Sequence, residues 1–187
     1  MNSSPRPASD PPSATDMVTD MTREDMTREI IRLGREQGLT LATAESCTGG
    51  LIANALTDQP GASACFHGAI IAYDNRIKET LLGIPSAMLE QDGAVSAPVA
   101  ALMAQNARSH LAVDIALSVS GIAGPSGGTI QKPVGTVFIA LADQNDVKVD
   151  KFIFDGPPKE TENRRQYIRR ESCSKALKMM VSHLKDS

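Results

Sequence analysis

The chain has little of what most recognisable catalytic and binding sites are made from. Among its 187 residues there are three cysteines, three histidines, two tyrosines and no tryptophan. Cys47, Cys65 and Cys173 make no CxxC pair and no metal-ligand spacing. An odd, scattered set argues against a disulfide framework and for a reducing compartment, so a cytoplasmic location is expected. His67, His110 and His183 stand apart, with no HExxH, so no metal site is predicted and any acid–base chemistry must rest on other side chains. No apolar run approaches the ~20 residues needed to span a bilayer, and no membrane partner is expected. Positive charge is not in surplus either: the formal net charge is −3, whereas a nucleic-acid binder shows a basic face, so nucleic acid is not expected as a partner. There is no GxxxxGK followed by Ser or Thr, and no GxSxG.

What remains is an ordinary soluble composition, 41% hydrophobic and 22% charged, in a chain of single-domain length. Residues 1–22 are rich in Pro, Ser and Asp with little to bury and read as a disordered tail; residues 23–187 read as one domain. No apolar h-region of a secretory signal is present. Met17, Met21 and Met26 could each be the start residue.

Beyond the tail the elements alternate. "REDMTREIIRLGREQG" places Met26, Ile30, Ile31 and Leu33 at helical spacing, and Gly38 stops it. "LTLATA" is a short strand, "GGLIANALTD" a helix, and "CFHGAIIAYD" a second buried strand. "NRIKETLLG" has Asn75 as N-cap and stops at Gly83. "SAPVAALMAQNARSHL" is a helix capped by Ser96. "DIALSVSGIAG" is a strand running into a glycine-rich loop. "GTVFIALAD" and "VKVDKFIFDG" form a hairpin, and a helix from about Glu160 to Leu184 closes the chain. This order predicts an α/β domain of three layers, α/β/α, with a mixed β-sheet. In such sheets ligands bind beyond the carboxyl ends of the strands.

Four segments fall there. "TAESCTGG", Thr43 to Gly50, is either a βα turn capped by Ser46 or Thr48, or a nucleophile at a helix N-terminus, where free N–H groups stabilise an oxyanion or phosphate. The residues leave Ser46 and Cys47 both open as that nucleophile; Cys47 would need its pKa lowered from ~8.5. Lys78 is either a solvated helix charge or, if buried, a general base paired with a serine, with Tyr73 orienting the proton. The segment Gly121 to Gly128 packs four glycines and a proline into eight residues, including Gly121 and Gly124, and reads as a strand connection or an anion nest. Ser118 and Ser120 alternate with apolar residues and are candidates to face the site. Arg165 and Arg169 share a helix face and either clamp a phosphate or are solvated.

Taken together, "TAESCTGG", the Phe-x-Gly-x-x-x-x-Tyr-x-Asn-x-x-Lys pattern from Phe66 to Lys78, "GAVS" (Gly93 to Ser96), "SGIAGPSGG" and "KPVGTV" (Lys132 to Val137) resemble the CinA C-terminal domain family of nicotinamide-nucleotide amidohydrolases, over roughly Ile30 to Leu184. Two departures stand out. The family's Gly-Asp-Arg-x-x-Val/Ile-Arg segment reads "DGPPKETENRRQYIRR" here, and His67-Gly68 replaces the more usual Gly-Gly. The longer CinA proteins carry an additional N-terminal domain, for which the short tail leaves no room.

The resemblance implies hydrolysis of the carboxamide of nicotinamide mononucleotide to nicotinate mononucleotide and ammonia, in pyridine-nucleotide recycling, without a cofactor. It favours Ser46 over Cys47 as nucleophile, with Lys78 as base and Tyr73 assisting. Backbone N–H groups of Thr48, Gly49 and Gly50 would hold the oxyanion. Glu45, Ser118, Ser120, Gly121, Gly124, Arg165 and Arg169 are the expected substrate-binding residues, and a homo-oligomer is the expected assembly. The competing readings are a non-catalytic nucleotide-binding module and an amidase acting on another small amide.

Overall fold

The computed structural model describes residues 21–157 and 163–186. Residues 1–20 of the expected tail lie outside the described residues, as does 158–162, where the sequence places the start of the last helix. Among the described residues six α-helices and five strands follow in the order α1 (Arg23–Gln37), β1 (Leu41–Glu45), α2 (Leu51–Thr57), β2 (Phe66–Ile71), α3 (Asn75–Leu82), α4 (Ser86–Asp92), α5 (Ala97–His110), β3 (Ile115–Gly121), β4 (Thr136–Ala142), β5 (Val147–Ile153) and α6 (Arg164–Asp186), with one 3-10 turn at Ala62–Ala64 before β2. Helix α1 starts in a capping box, in which Thr22 Oγ1 accepts from Asp25 N–H and the Asp25 carboxylate accepts from Thr22 N–H; it ends at Gly38 in the left-handed conformation. Met21, inside the expected tail, packs against the core. Helix α4 was not legible in the sequence, and Asp74, not Asn75, caps α3 by accepting from Arg76 N–H.

The sheet order is β2-β1-β3-β4-β5, with β1 parallel to β2 and β3, and the remaining pairs antiparallel. The mixed three-layer α/β fold is therefore as the sequence predicts. Strands β1, β3 and β4 are buried almost throughout, while β2 lies at an edge and is only half-buried, so it is not the buried strand its apolar run suggests.

The two faces of the sheet differ in side-chain size. Leu41, Ile115, Leu117, Val119, Val137, Ile139 and Leu141 point to α1, α2 and α6 and build the larger core. Ala42, Ala44 and Ala116, then Phe138, Ala140 and Ala142, point to the side of α3, α4 and α5. That side is mostly alanine and serine, and α5 meets it with Ala100, Ala104 and Ala107, all fully buried. Small residues on both partners let α5 lie close to the sheet, close enough for Ser118 Oγ to donate to the Ala100 carbonyl at 2.6 Å.

The loop from β3 to β4 is closed by Gly135, whose N–H donates to Ile122 O and whose carbonyl accepts from Phe154 N–H. Its φ is +104°, and a Cβ there would fall 2.1 Å from the Phe154 carbonyl oxygen, a backbone atom that cannot step aside. Gly135→Ala is expected to lower the unfolding free energy by about 3 kcal/mol, read from the urea midpoint. Gly38→Ala, at φ +66° with nothing within 4 Å, should cost only about 1 kcal/mol.

Candidate active site

The parallel strands β1, β2 and β3 end on the same side of the sheet, with β2 and β3 flanking β1. The chain leaving β1 therefore enters the crevice where the strand order reverses, which is where open α/β sheets bind ligands. That chain is the Ser46–Gly50 turn. Ser46 N–H still donates to Val119 O at 2.9 Å, as if continuing the sheet. The backbone then reverses through Gly49 and Gly50, at φ +58° and +93°, two successive left-handed positions that explain the glycine pair.

Neither Ser46 nor Thr48 caps α2, as the sequence suggests; the N-cap is Gly50, which has no side chain to offer. Glu45 does this instead. Its carboxylate, wholly buried, accepts from Gly50 N–H at 2.9 Å, Ala53 N–H at 2.8 Å and Ile52 N–H at 3.3 Å, and also from Thr43 Oγ1. A carboxylate needs no cation when a helix start supplies several N–H donors. Glu45 is thus folded into the interior, its carboxylate spent on the start of α2. It also uses the Gly50 N–H, while Gly49 N–H donates to Ser46 O at 3.1 Å. Of the three residues expected to hold an oxyanion, only Thr48 keeps an N–H without a partner among the described residues. The Thr48 hydroxyl is buried and also unpartnered there.

Lys78 is 1% exposed and ranks among the largest fully buried side chains. Its Nζ lies 3.3 Å from Ser46 Oγ, donates to Ala72 O at 2.9 Å and reaches Tyr73 O at 3.5 Å. Among the described residues no carboxylate comes within ion-pair distance of it. Burial pushes its pKa below the ordinary lysine value, and the more distant Asp74 charge opposes this only in part. A neutral amine has two N–H groups and one lone pair. With the N–H groups turned to the two carbonyls, the lone pair faces the Ser46 hydroxyl. Cys47, the other candidate nucleophile, is buried beside Gly121, and desolvation pushes its thiol up to about 12.

The remaining predicted residues divide. Tyr73 is exposed, and its hydroxyl accepts from Arg165 Nη2 at 2.6 Å, so its carbonyl and not its phenol meets Lys78. Arg165 Nη1 donates to Gly124 O at 2.6 Å and ties the glycine-rich loop to Tyr73. Ser118 and Ser120 lie on the α3–α5 face, the face from which Lys78 approaches, but both are buried with their hydroxyls spent on backbone, Ser118 donating to Ala100 O and Ser120 to Ala94 O at 2.7 Å. Gly121 is a packing glycine, since a Cβ would lie 2.6 Å from Val137 and 3.0 Å from Cys47 Sγ. Gly124 sits at φ +81°, where a Cβ would strike Val134. Arg169 donates from Nε to Cys47 O at 3.1 Å and from Nη2 to Thr48 O at 2.7 Å, contacts that the sequence did not signal.

A buried amine against a serine hydroxyl, at the switch point of a mixed α/β sheet, is an arrangement suited to nucleophilic chemistry. The chain belongs to the CinA C-terminal domain family, whose model matches residues 23–184. It is 47% identical over 162 residues to a CinA-like protein of Geobacter sp. (strain M21), covering 87% of this chain and 37% of that protein. It is 55% identical over 127 residues to a CinA-like protein of Geobacter sulfurreducens, covering 68% of this chain and 31% of the other. The chain thus spans about a third of the length of these curated relatives. Among solved structures it resembles the competence/damage inducible protein CihA of Agrobacterium tumefaciens, with a TM-score of 0.79 and 37% identity over 86% of this chain and 94% of that one. It also resembles a CinA superfamily protein of Klebsiella pneumoniae, with a TM-score of 0.81 and 26% identity over 89% and 100%.

Burial pushes the Cys47 thiol up to about 12, so at pH 8 it is held as the unreactive neutral thiol. Iodoacetamide at pH 8 should leave Cys47 unmodified in the folded protein and alkylate it fully in guanidinium chloride, as read by peptide mass spectrometry.

Proposed function

We propose that this chain is an amidase that hydrolyses the carboxamide of nicotinamide mononucleotide to nicotinate mononucleotide and ammonia. The observation that carries the reading is the 3.3 Å approach of the buried, carboxylate-free Lys78 Nζ to Ser46 Oγ. A serine hydroxyl is a weak nucleophile unless a base takes its proton, and a desolvated lysine is such a base. The choice of substrate comes from the family resemblance. It is supported by the exposed Ile71 and Tyr73, 41% and 58% accessible, which stand beside the turn and give a flat ring an apolar surface.

In this scheme Ser46 Oγ attacks the amide carbon while its proton passes to Lys78 Nζ. Thr48 N–H stabilises the tetrahedral oxyanion. Lys78 returns the proton to the amide nitrogen, the C–N bond breaks and ammonia leaves, with an ester on Ser46. Water then attacks the ester carbon, giving its proton to Lys78. The C–O bond to Ser46 breaks, Ser46 regains that proton, and the product leaves as a carboxylic acid that gives its remaining proton to solvent and becomes the carboxylate. Arg165 and the Gly124 loop stand at the rim, where ribose and phosphate would lie.

The test is ammonia release from the mononucleotide by the parent protein, Ser46→Ala and Lys78→Ala. Both variants should lose at least about 10³ in kcat; full activity in Ser46→Ala, or nucleotide binding without turnover in the parent, overturns the reading. Because only neutral Lys78 accepts a proton, kcat should fall as pH drops through its lowered pKa.

Stability follows pH in the same direction. Between the lowered folded pKa and the unfolded value of ~10.4, the unfolded chain binds a proton that the folded chain resists, so burial of Lys78 costs stability that returns as pH rises. The unfolding midpoint of Lys78→Met minus that of the parent should therefore shrink between pH 7 and pH 10, measured by calorimetry. A constant gap would mean that Lys78 is not desolvated.

A further inference from the structure

Arg169 is the residue whose observed contacts fit its expected role least. The side of its guanidinium that would grip a phosphate with two parallel bonds, Nε with Nη2, is turned onto the carbonyls of Cys47 and Thr48. Those carbonyls belong to the two successive peptides that follow the nucleophile. A trans peptide is planar, with its N–H directed opposite to its C=O. Fixing Cys47 O toward α6 therefore sends Thr48 N–H away from α6, and fixing Thr48 O does the same for Gly49 N–H. The second of these is visible in its bond: Gly49 N–H reaches back to Ser46 O. The clamped peptides thus present their N–H groups to the Ser46 side of the turn, and Thr48 N–H is the one left unspent. From the other end Glu45 holds Gly50, Ile52 and Ala53 by their N–H groups. The turn is gripped between a cation on its carbonyls and an anion on its amides. A cation at the carbonyl end also polarises the peptide, making its N–H a better donor.

We propose that Arg169 is a positioning residue for the reaction at Ser46, holding the Cys47–Thr48 peptide so that Thr48 N–H receives the oxyanion, and that it is not a ligand of the substrate phosphate. This rests on Ser46 as the nucleophile, but not on the identity of the substrate.

The experiment compares the parent with Arg169→Lys and Arg169→Gln on nicotinamide mononucleotide and on the phosphate-free nucleoside, and measures the rate at which a fluorophosphonate labels Ser46. That probe carries no ribose or nucleotide phosphate. Unfolding midpoints are recorded for each variant, and Arg169→Lys, which keeps the charge and the stem, is read if Arg169→Gln does not fold. The expected result is a loss of about tenfold or more in kcat on both substrates, with the ratio of their KM values unchanged. Labelling should slow by a similar factor, and Arg169→Lys should recover part of the loss. A rise in KM confined to the phosphorylated substrate, with labelling at the parent rate, would make Arg169 a phosphate ligand and overturn the proposal. If the parent labels but does not turn over the nucleotide, while the variants label tenfold more slowly, the positioning role stands and the proposed substrate falls. If the parent does not label at all, both fall.

Discussion

The amine of Lys78 sits among two backbone carbonyls and a hydroxyl, 1% exposed, with no carboxylate in ion-pair reach among the described residues. Taking a charged ammonium out of water without a counter-ion is among the costliest things a fold can do, and the group responds by favouring its neutral form. The surrounding structure makes that state possible. Helix α3, capped by Asp74, starts directly after the strand end and carries Lys78 in under it. The segment that follows the edge strand β2 supplies Ala72 and Tyr73, whose carbonyls face Lys78 where the strand has ended. Ser46 arrives from the neighbouring parallel strand at the same level.

The inequality of the sheet's two faces serves the same end. The large side chains of β1, β3 and β4 fill the space under α1, α2 and α6, and bring α6 into register with the turn. The small ones leave α5 lying close on the other side, held by Ser118 and Ser120 to carbonyls at and before its start. Two rigid layers thus bracket one short turn. The glycines at 49 and 50 let that turn reverse through two successive left-handed positions.

Most of the architecture was legible in the sequence because it is written in local signals. Helical spacing, Gly38 and Gly83 as stops, and the two β-rich runs around Asp143 to Asp146 each report on a few adjacent residues. The candidate pair Ser46 and Lys78 was legible as well, through the residue types and their place after strands. The failures have a common cause: they concern where a side chain turns after leaving a correctly placed backbone. Ser118 and Ser120 alternate as expected, but a period of two does not say that their hydroxyls close onto the carbonyls of Ala100 and Ala94. From the sequence Glu45 is open to two roles, orienting Lys78 or binding substrate, and its capping of α2 is neither. Only the three-dimensional path shows that the helix start reaches back to it. A buried acid in an apolar strand, with no basic residue nearby, was the one signal available: such a group must find N–H donors. Arg169 gave no signal of its clamp, since its partners are carbonyls 121 and 122 residues away, and backbone atoms leave no mark on sequence.

That separation bears on how the molecule comes into being. A chain is synthesised from its N-terminus, and domains take shape as they emerge. The turn with Ser46, its lysine and its internal carboxylate are all made long before α6 exists. Until that helix packs down, the two carbonyls after the serine have no guanidinium to hold them. The protein can therefore acquire its nucleophile early and its geometry late, with α6, made well after the turn, acting as the clasp that completes the site.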